Sequence, residues 1–194
     1  MPHDRPAIFL DRDGVINEDL GHVYRIQDFK FLPGVLTACR RFHQNGYQIV
    51  VITNQAGIAK GYYSISAFEH LTRWMSERFE EAGAPLSGVY YCPHHPEGSV
   101  TGLRLTCNCR KPAPGLFLRA QQDLQISMQH SIVVGDKYSD IAAGEAAGVR
   151  FRYLIGHSAA AAPLTERDST AGLFSSFSSW ADIVPPTPFL LEDQ

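Results

Sequence analysis

Four short apolar runs in this chain stop abruptly at polar residues, and longer helical patterns separate them. Residues 7–10, AIFL, run into Asp11 and Asp13; residues 48–52 run into Thr53, Asn54 and Gln55. Residues 88–91 run into Cys92-Pro93-His94, and residues 131–134 into Gly135-Asp136-Lys137. A fifth β-rich run covers 150–155. Helical patterns lie between them at 33–45, 66–82, 114–124 and 139–147. Such alternation predicts an α/β fold: a Rossmann-like, doubly wound parallel sheet of about five strands with helices on both faces. Open sheets of this kind bind ligands at the carboxyl ends of their strands, which is where the polar groups fall.

Local signals mark the helix ends. Gly46 follows the first helix as a C′ glycine. Ser66 and Glu69 form a capping box for the second, which stops before Gly83. Ser139 is read as the N-cap of the fourth, with Asp140 in its first turn. The Ala-, Ser- and Thr-rich segment 156–179 reads as a surface connection, 180–184 as a short docked helix, and 185–194 as a loose tail. One domain spanning residues 1–194 is expected, since a chain of this length can bury a full core.

Charge narrows the partners. With 17 basic and 20 acidic residues the net charge is −3, which argues against nucleic acid or an acidic membrane surface. No apolar segment reaches the roughly 18 residues of a membrane span. MPHDRPAIFL carries no export signal. A cytoplasmic protein is expected, in which cysteines stay reduced.

Two carboxylates two residues apart at the end of a buried strand repel each other and are costly to desolvate. Residues i and i+2 of an extended segment face the same way, so Asp11 and Asp13 converge, and Asp136 arrives from another strand end. Oxygens gathered around one point suit a hard cation such as Mg²⁺, which also contacts substrate phosphate.

Cysteine spacing points to a second metal. Cys92-Pro93-His94, twelve intervening residues and Cys107-Asn108-Cys109 supply three thiolates and an imidazole. That set matches a closed tetrahedral structural zinc site. His94 is preferred as fourth ligand because its spacing to Cys92 mirrors that of Cys107 to Cys109; His95 is the alternative. Arg110 and Lys111 follow directly, so clamping Cys109 would aim both cations. The lone Cys39 reads as a small buried hydrophobe.

The motifs D-R-D-G-V, V-I-T-N-Q-A-G, R-K-P and V-V-G-D-K-Y-S-D together resemble the haloacid dehalogenase superfamily of phosphohydrolases. The resemblance implies Asp11 as nucleophile, Asp13 as general acid and base, and Thr53 and Lys111 as phosphoryl-stabilising groups, with Asn54 beside Thr53. It also implies Mg²⁺ held by Asp11, the Asp13 main-chain carbonyl and Asp136. Asp140 is read as a helix-start residue in preference to a supporting place behind the metal ligands. The zinc loop 92–109, D-R-D-G-x-I-N, G-H-V-Y and C-N-C-R-K-P-A-P-G are similar to the D-glycero-D-manno-heptose 1,7-bisphosphate phosphatase family. The sister histidinol-phosphate phosphatases share the scaffold with a shorter loop. The closer family implies removal of the 7-phosphate from a small sugar bisphosphate. It places substrate contacts at Asp19, His22, Thr53, Asn54, Gln55, Arg110, Lys111 and Lys137; charge and position add Arg104 as a reader of the remote phosphate. Only 41 residues separate Asp11 from Thr53, too few for an inserted cap domain. An open site and a monomer are expected.

Overall fold

The computed structural model describes residues 5–156 and 174–186. Six parallel strands form one sheet: β1 (Ala7–Leu10), β2 (Gln48–Asn54), β3 (Leu86–Cys92), β4 (Ile132–Gly135), β5 (Phe151–Ile155) and β6 (Phe174–Phe177). Their order is β3-β2-β1-β4-β5-β6. The chain therefore winds one way from β1 through β3 and the other way from β4 through β6. The direction reverses between β1 and β4, and a crevice opens at such a reversal. Leu10 pairs with Val51 on one side and Val134 on the other. The residues that follow these three positions are thus delivered to the same rim.

The pleat divides the core in two. Ile8 and Leu10 of β1 face a cluster with Val35, Cys39 and Phe42 of α1 (Val35–Gln44) and with Leu71, Met75 and Phe79 of α3 (Ile65–Glu81). Ala7 and Phe9, one residue out of phase, face Leu116 and Phe117 of α4 (Gly115–Leu124) and Ala143 of α5 (Tyr138–Ala146). This is the period-two alternation of a strand buried on both faces. Cys39 is fully buried, and burial pushes its thiol pKa up. Among the described residues no inserted domain roofs the rim. The turn α2 (Ala56–Ala59), a single helical turn, and the loop from Cys92 to Cys109 are the additions beside it.

Several local expectations are corrected. The sheet has a sixth strand, β6, inside the segment read as a surface connection. Its sequence, FSSF, has exposed Ser175 and Ser176 and no apolar alternation; pairing with the free edge of β5 creates it. Residues 157–173 and 187–194, parts of the expected connection and tail, lie outside the described residues. The N-cap of α3 is Ser64, whose hydroxyl accepts from the Ala67 amide at 3.1 Å, and not Ser66. Helix α5 begins at Tyr138, because the Asp140 carboxylate accepts from the Lys137 amide. Residues 180–184 form a turn and not a helix, yet Trp180 and Ile183 are buried against the β1–α1 face.

Trp180 ties that turn to the rim. It is 1% exposed, and its indole Nε1 donates to the Val15 carbonyl at 2.8 Å. Replacing Trp180 with Ala removes a large buried ring and leaves that carbonyl unpaired. The expected loss of unfolding free energy is about 3–5 kcal/mol, to be read from the urea midpoint. A loss below about 1 kcal/mol would mean the segment is not docked.

Candidate active site

A sharp turn carries the first two aspartates off β1. The Arg12 carbonyl accepts from the amides of Val15, Ile16 and Asn17 at 3.3, 2.8 and 3.1 Å. Gly14 has φ +87°, and a Cβ there would lie 2.3 Å from Asp136 Oδ2. Glycine is needed twice over, for the left-handed conformation and for the approach of the neighbouring strand's aspartate.

Asp11, Asp136 and Asp140 each place a carboxylate oxygen within 4.8 Å of the others. Lys111 offsets this charge. Its Nζ sits 2.9 Å from Asp11 Oδ1 and 2.6 Å from Asp140 Oδ1, and it donates to the Ile52 carbonyl at 2.7 Å. Burial pulls the Lys111 pKa down, but Asp11 and Asp140 outweigh it and hold the ammonium above its ordinary value. The Asp140 carboxyl is raised by burial and by Asp11 against the pull of Lys111. Asp140 is thus more than a helix-start residue, contrary to the sequence reading: at 2% exposure it belongs to the charge cluster. Its position in α5 gave the sequence a sufficient helical explanation and masked the second role.

Asp136 lacks a counter-charge as close. Its Oδ1 is buried with no hydrogen-bond partner, and Lys137 Nζ lies 3.5 Å from Oδ2. Burial, then Asp11, pushes its pKa up to about 7. An orphaned carboxylate oxygen beside a second carboxylate fits a hard divalent cation. Asp13 does not join this cluster. Its carboxylate faces Arg12, 2.9 Å away, which leaves its main-chain carbonyl as the group able to meet a cation.

The remaining residues surround a cavity of about 480 Å³ lined by both ends of the sheet rim. Asp13, Asp19, His22, Gln55, Arg110 and Lys137 all line it, as expected. Asp19 and Lys137 form an ion pair across it at 3.1 Å. His22 is exposed, has φ 57° and packs edge-on against Tyr62. Thr53 is buried at 1% and does not line the cavity; its hydroxyl accepts from Gln55 Nε2 at 2.9 Å, which leaves the O–H free to donate. Asn54 lines the cavity but spends both amide atoms on the Lys111 main chain: Nδ2 donates to the carbonyl and Oδ1 accepts from the amide, each at 3.1 Å. It tethers the Lys111 turn to β2 and keeps its second Nδ2 hydrogen available to the cavity. Arg104 is exposed and does not line the cavity. Lys60 and His95 line it instead, next to Arg110. The His95 pKa is lowered by burial and then by Arg110 and Lys60. Lys60 was not read from the sequence as a site residue, although it follows the β2 strand end by one helical turn, and His95 was read only as the alternative zinc ligand.

The cysteine cluster closes as expected. Cys92, Cys107 and Cys109 place their sulfurs 3.2–3.5 Å apart. His94 Nδ1 lies 3.3 Å from Cys109 Sγ and 3.8 Å from Cys92 Sγ. Zinc with bonds of about 2.3 Å separates its sulfurs by about 3.8 Å, so a small expansion admits the ion. His95 points elsewhere, accepting from the Glu97 amide. Helix α4 packs tightly on the loop: a Cβ on Gly115 would lie 2.4 Å from the Asn108 carbonyl.

A family model described as haloacid dehalogenase-like hydrolase matches residues 3–148. The chain is 46% identical over 155 residues to the D-glycero-beta-D-manno-heptose-1,7-bisphosphate 7-phosphatase of Yersinia pestis, covering 80% of this chain and 82% of that one. It is 48% identical over 155 residues to the protein of that name from Escherichia coli K12, with 80% and 81% covered. Among solved structures, the D,D-heptose 1.7-bisphosphate phosphatase of B. bronchiseptica, complexed with magnesium and phosphate, superposes with a TM-score of 0.75 at 27% identity over 91% of this chain and 94% of that one.

Two outcomes test the metal sites. Between the unfolded value of 3.8 and the folded value of about 7, the folded protein keeps a proton on Asp136 that the unfolded chain releases. Stability is therefore lost progressively as pH rises from the unfolded to the folded value and the loss is complete above about pH 7, where a cation recovers it. Saturating Mg²⁺ should raise the melting temperature more at about pH 8 than at about pH 5.5; an equal shift at both would exclude Asp136 as a ligand. Native mass spectrometry should find one zinc per chain, lost in Cys109→Ser together with several degrees of melting temperature.

Proposed function

Since the chain belongs to the haloacid dehalogenase-like hydrolase family, we propose that this cavity hydrolyses the 7-phosphate of D-glycero-D-manno-heptose 1,7-bisphosphate, with the beta anomer preferred. The observation that carries this reading is the Asp11–Lys111–Asp140 cluster beside the orphaned Asp136 oxygen, open to a cavity also lined by Lys60, Arg110 and Lys137.

A carboxylate held 2.9 Å from a buried ammonium is fixed in place for attack. Asp11 would attack phosphorus through a carboxylate oxygen, forming an aspartyl phosphate as the ester P–O bond breaks. Asp13 would protonate the leaving C7 oxygen and later take a proton from the water that hydrolyses the acyl phosphate. Lys111 would neutralise charge on the phosphoryl oxygens, where a loose transition state needs it, and the Thr53 O–H, buried beside Gln55, would reach a phosphoryl oxygen only if the bound group enters past the present cavity lining. Mg²⁺, held by Asp11, Asp136 and the Asp13 carbonyl, would supply charge neutralisation between phosphate and carboxylates. Asn54 would keep the lysine strand in place.

Lys60, His95 and Arg110 line the cavity near one another, and Lys137, paired with Asp19 and Asp136, lines it as well. Several cationic groups besides Lys111 suit a substrate with two phosphates, and this reading moves the remote-phosphate contact from Arg104 to Lys60, His95 and Arg110. The same cations repel an ammonium, which disfavours histidinol phosphate. Every residue invoked lies on one chain, so a monomer suffices. No helix among the described residues is long and apolar enough to cross a membrane. Three reduced thiols around zinc support a cytoplasmic location.

Asp11→Asn should abolish turnover, at least ~10⁴-fold in kcat, while the fold and zinc content persist. Wild type should favour the beta heptose bisphosphate over the alpha anomer and over histidinol phosphate in kcat/KM. A preference for histidinol phosphate would transfer the protein to the sister activity. Lys60→Ala should raise KM for the bisphosphate about tenfold, with little change for a sugar monophosphate.

A further inference from the structure

Arg12 lies between the two aspartates in sequence and takes no part in the chemistry described so far, yet it is one of the most deeply buried side chains, 1% exposed. A buried guanidinium is costly unless its position serves something. Its donors converge on one carboxylate. Nη2 reaches both Asp13 oxygens at 2.9 Å, and Nε reaches Oδ1 at 3.3 Å. Nη2 also meets the Val23 carbonyl, and the guanidinium lies 5.8 Å from the Phe68 ring centroid. The group is thus anchored to the loop on one side and to α3 on the other.

The rest of the shell around Asp13 is asymmetric. Asn17 Nδ2 donates to Oδ1 at 3.0 Å, so Oδ1 has three donors. Oδ2 has Arg12 Nη2 and only a long contact, 3.3 Å, from Gln55 Nε2. The Gln55 amide is itself held: Tyr63 donates to its Oε1 at 2.6 Å, and its Nε2 also serves Thr53 Oγ1. Burial pushes the Tyr63 pKa up to about 12, so its hydroxyl stays a donor. Six side chains therefore form one network in which Oδ2 is the less engaged of the two Asp13 oxygens.

We infer that Arg12 is a positioning residue for Asp13. With Asn17, and with Gln55 oriented by Tyr63, it locks the carboxylate so that Oδ1 is fully engaged and Oδ2 alone exchanges protons with the leaving oxygen and the attacking water. This inference rests on the phosphatase reading above. Arg12 touches no reacting atom; its effect passes through the orientation of Asp13. A lysine in its place supplies charge to one oxygen and cannot span both.

The leaving group provides the test. A sugar alkoxide must be protonated as it departs, whereas an activated aryl oxide departs without help. First-turnover rates by rapid quench should therefore separate the two. In Arg12→Lys, cleavage of the sugar bisphosphate should slow at least tenfold, while the burst of phenolate from an activated aryl phosphate keeps its rate and only the later steps slow. Tyr63→Phe, a near-isosteric change, should give the same pattern in weaker form, about threefold. Equal slowing of both first turnovers in both variants would mean that Arg12 only supports the fold, and would overturn the inference. A wild-type protein that releases no phosphate from either substrate would instead sink the phosphatase reading itself.

Discussion

The buried ammonium of Lys111 is the contact on which the site depends. Asp11, Asp136 and Asp140 converge from β1, β4 and α5, and like charges so close would push the strand ends apart. One cation between Asp11 and Asp140, also bonded to the Ile52 carbonyl of β2, makes the convergence tolerable and links three elements. The link costs desolvation on both sides, so it holds only while its geometry is kept. Asn54, with both amide atoms on the Lys111 main chain, and the zinc loop just upstream keep it.

Two side-chain clusters able to hold a metal divide the work along this line. The Cys/His cluster ends immediately before Arg110 and Lys111, so closing it restrains the segment that delivers both cations. The carboxylate cluster is left deliberately short of positive charge at Asp136, whose buried oxygen finds no protein donor. That deficit fits a divalent cation, whereas a fully compensated cluster would have no use for one.

Asp13 obeys different physics from its neighbours. The carboxylate cluster is compensated by a point charge, whereas Asp13 is gripped by a planar fork and two amides. The first arrangement stabilises charge; the second sets direction. Two aspartates two residues apart thus reach different environments because the turn at Gly14 rotates the second away from the first.

Pattern alone determined much of this protein. Strand–helix alternation specified the doubly wound sheet, and polar residues at four strand ends specified the rim, since period two and winding direction leave few other placements. Cysteine spacing specified the Cys92, His94, Cys107 and Cys109 cluster that could hold a zinc ion, and the choice of His94 over His95 followed from local symmetry. Tertiary structure decided the rest. β6 exists because β5 offers a free edge, although Ser175 and Ser176 carry no strand pattern. Asp140, Lys60, His95 and Tyr63 join the site through the packing of helices and loops on the sheet. Asn54 gained a tethering role on the Lys111 main chain, and Arg104 fell outside the cavity. Local sequence encodes periodicity and ligand type; which side chains meet across elements is set by crossing and register, and those are properties of the assembled sheet.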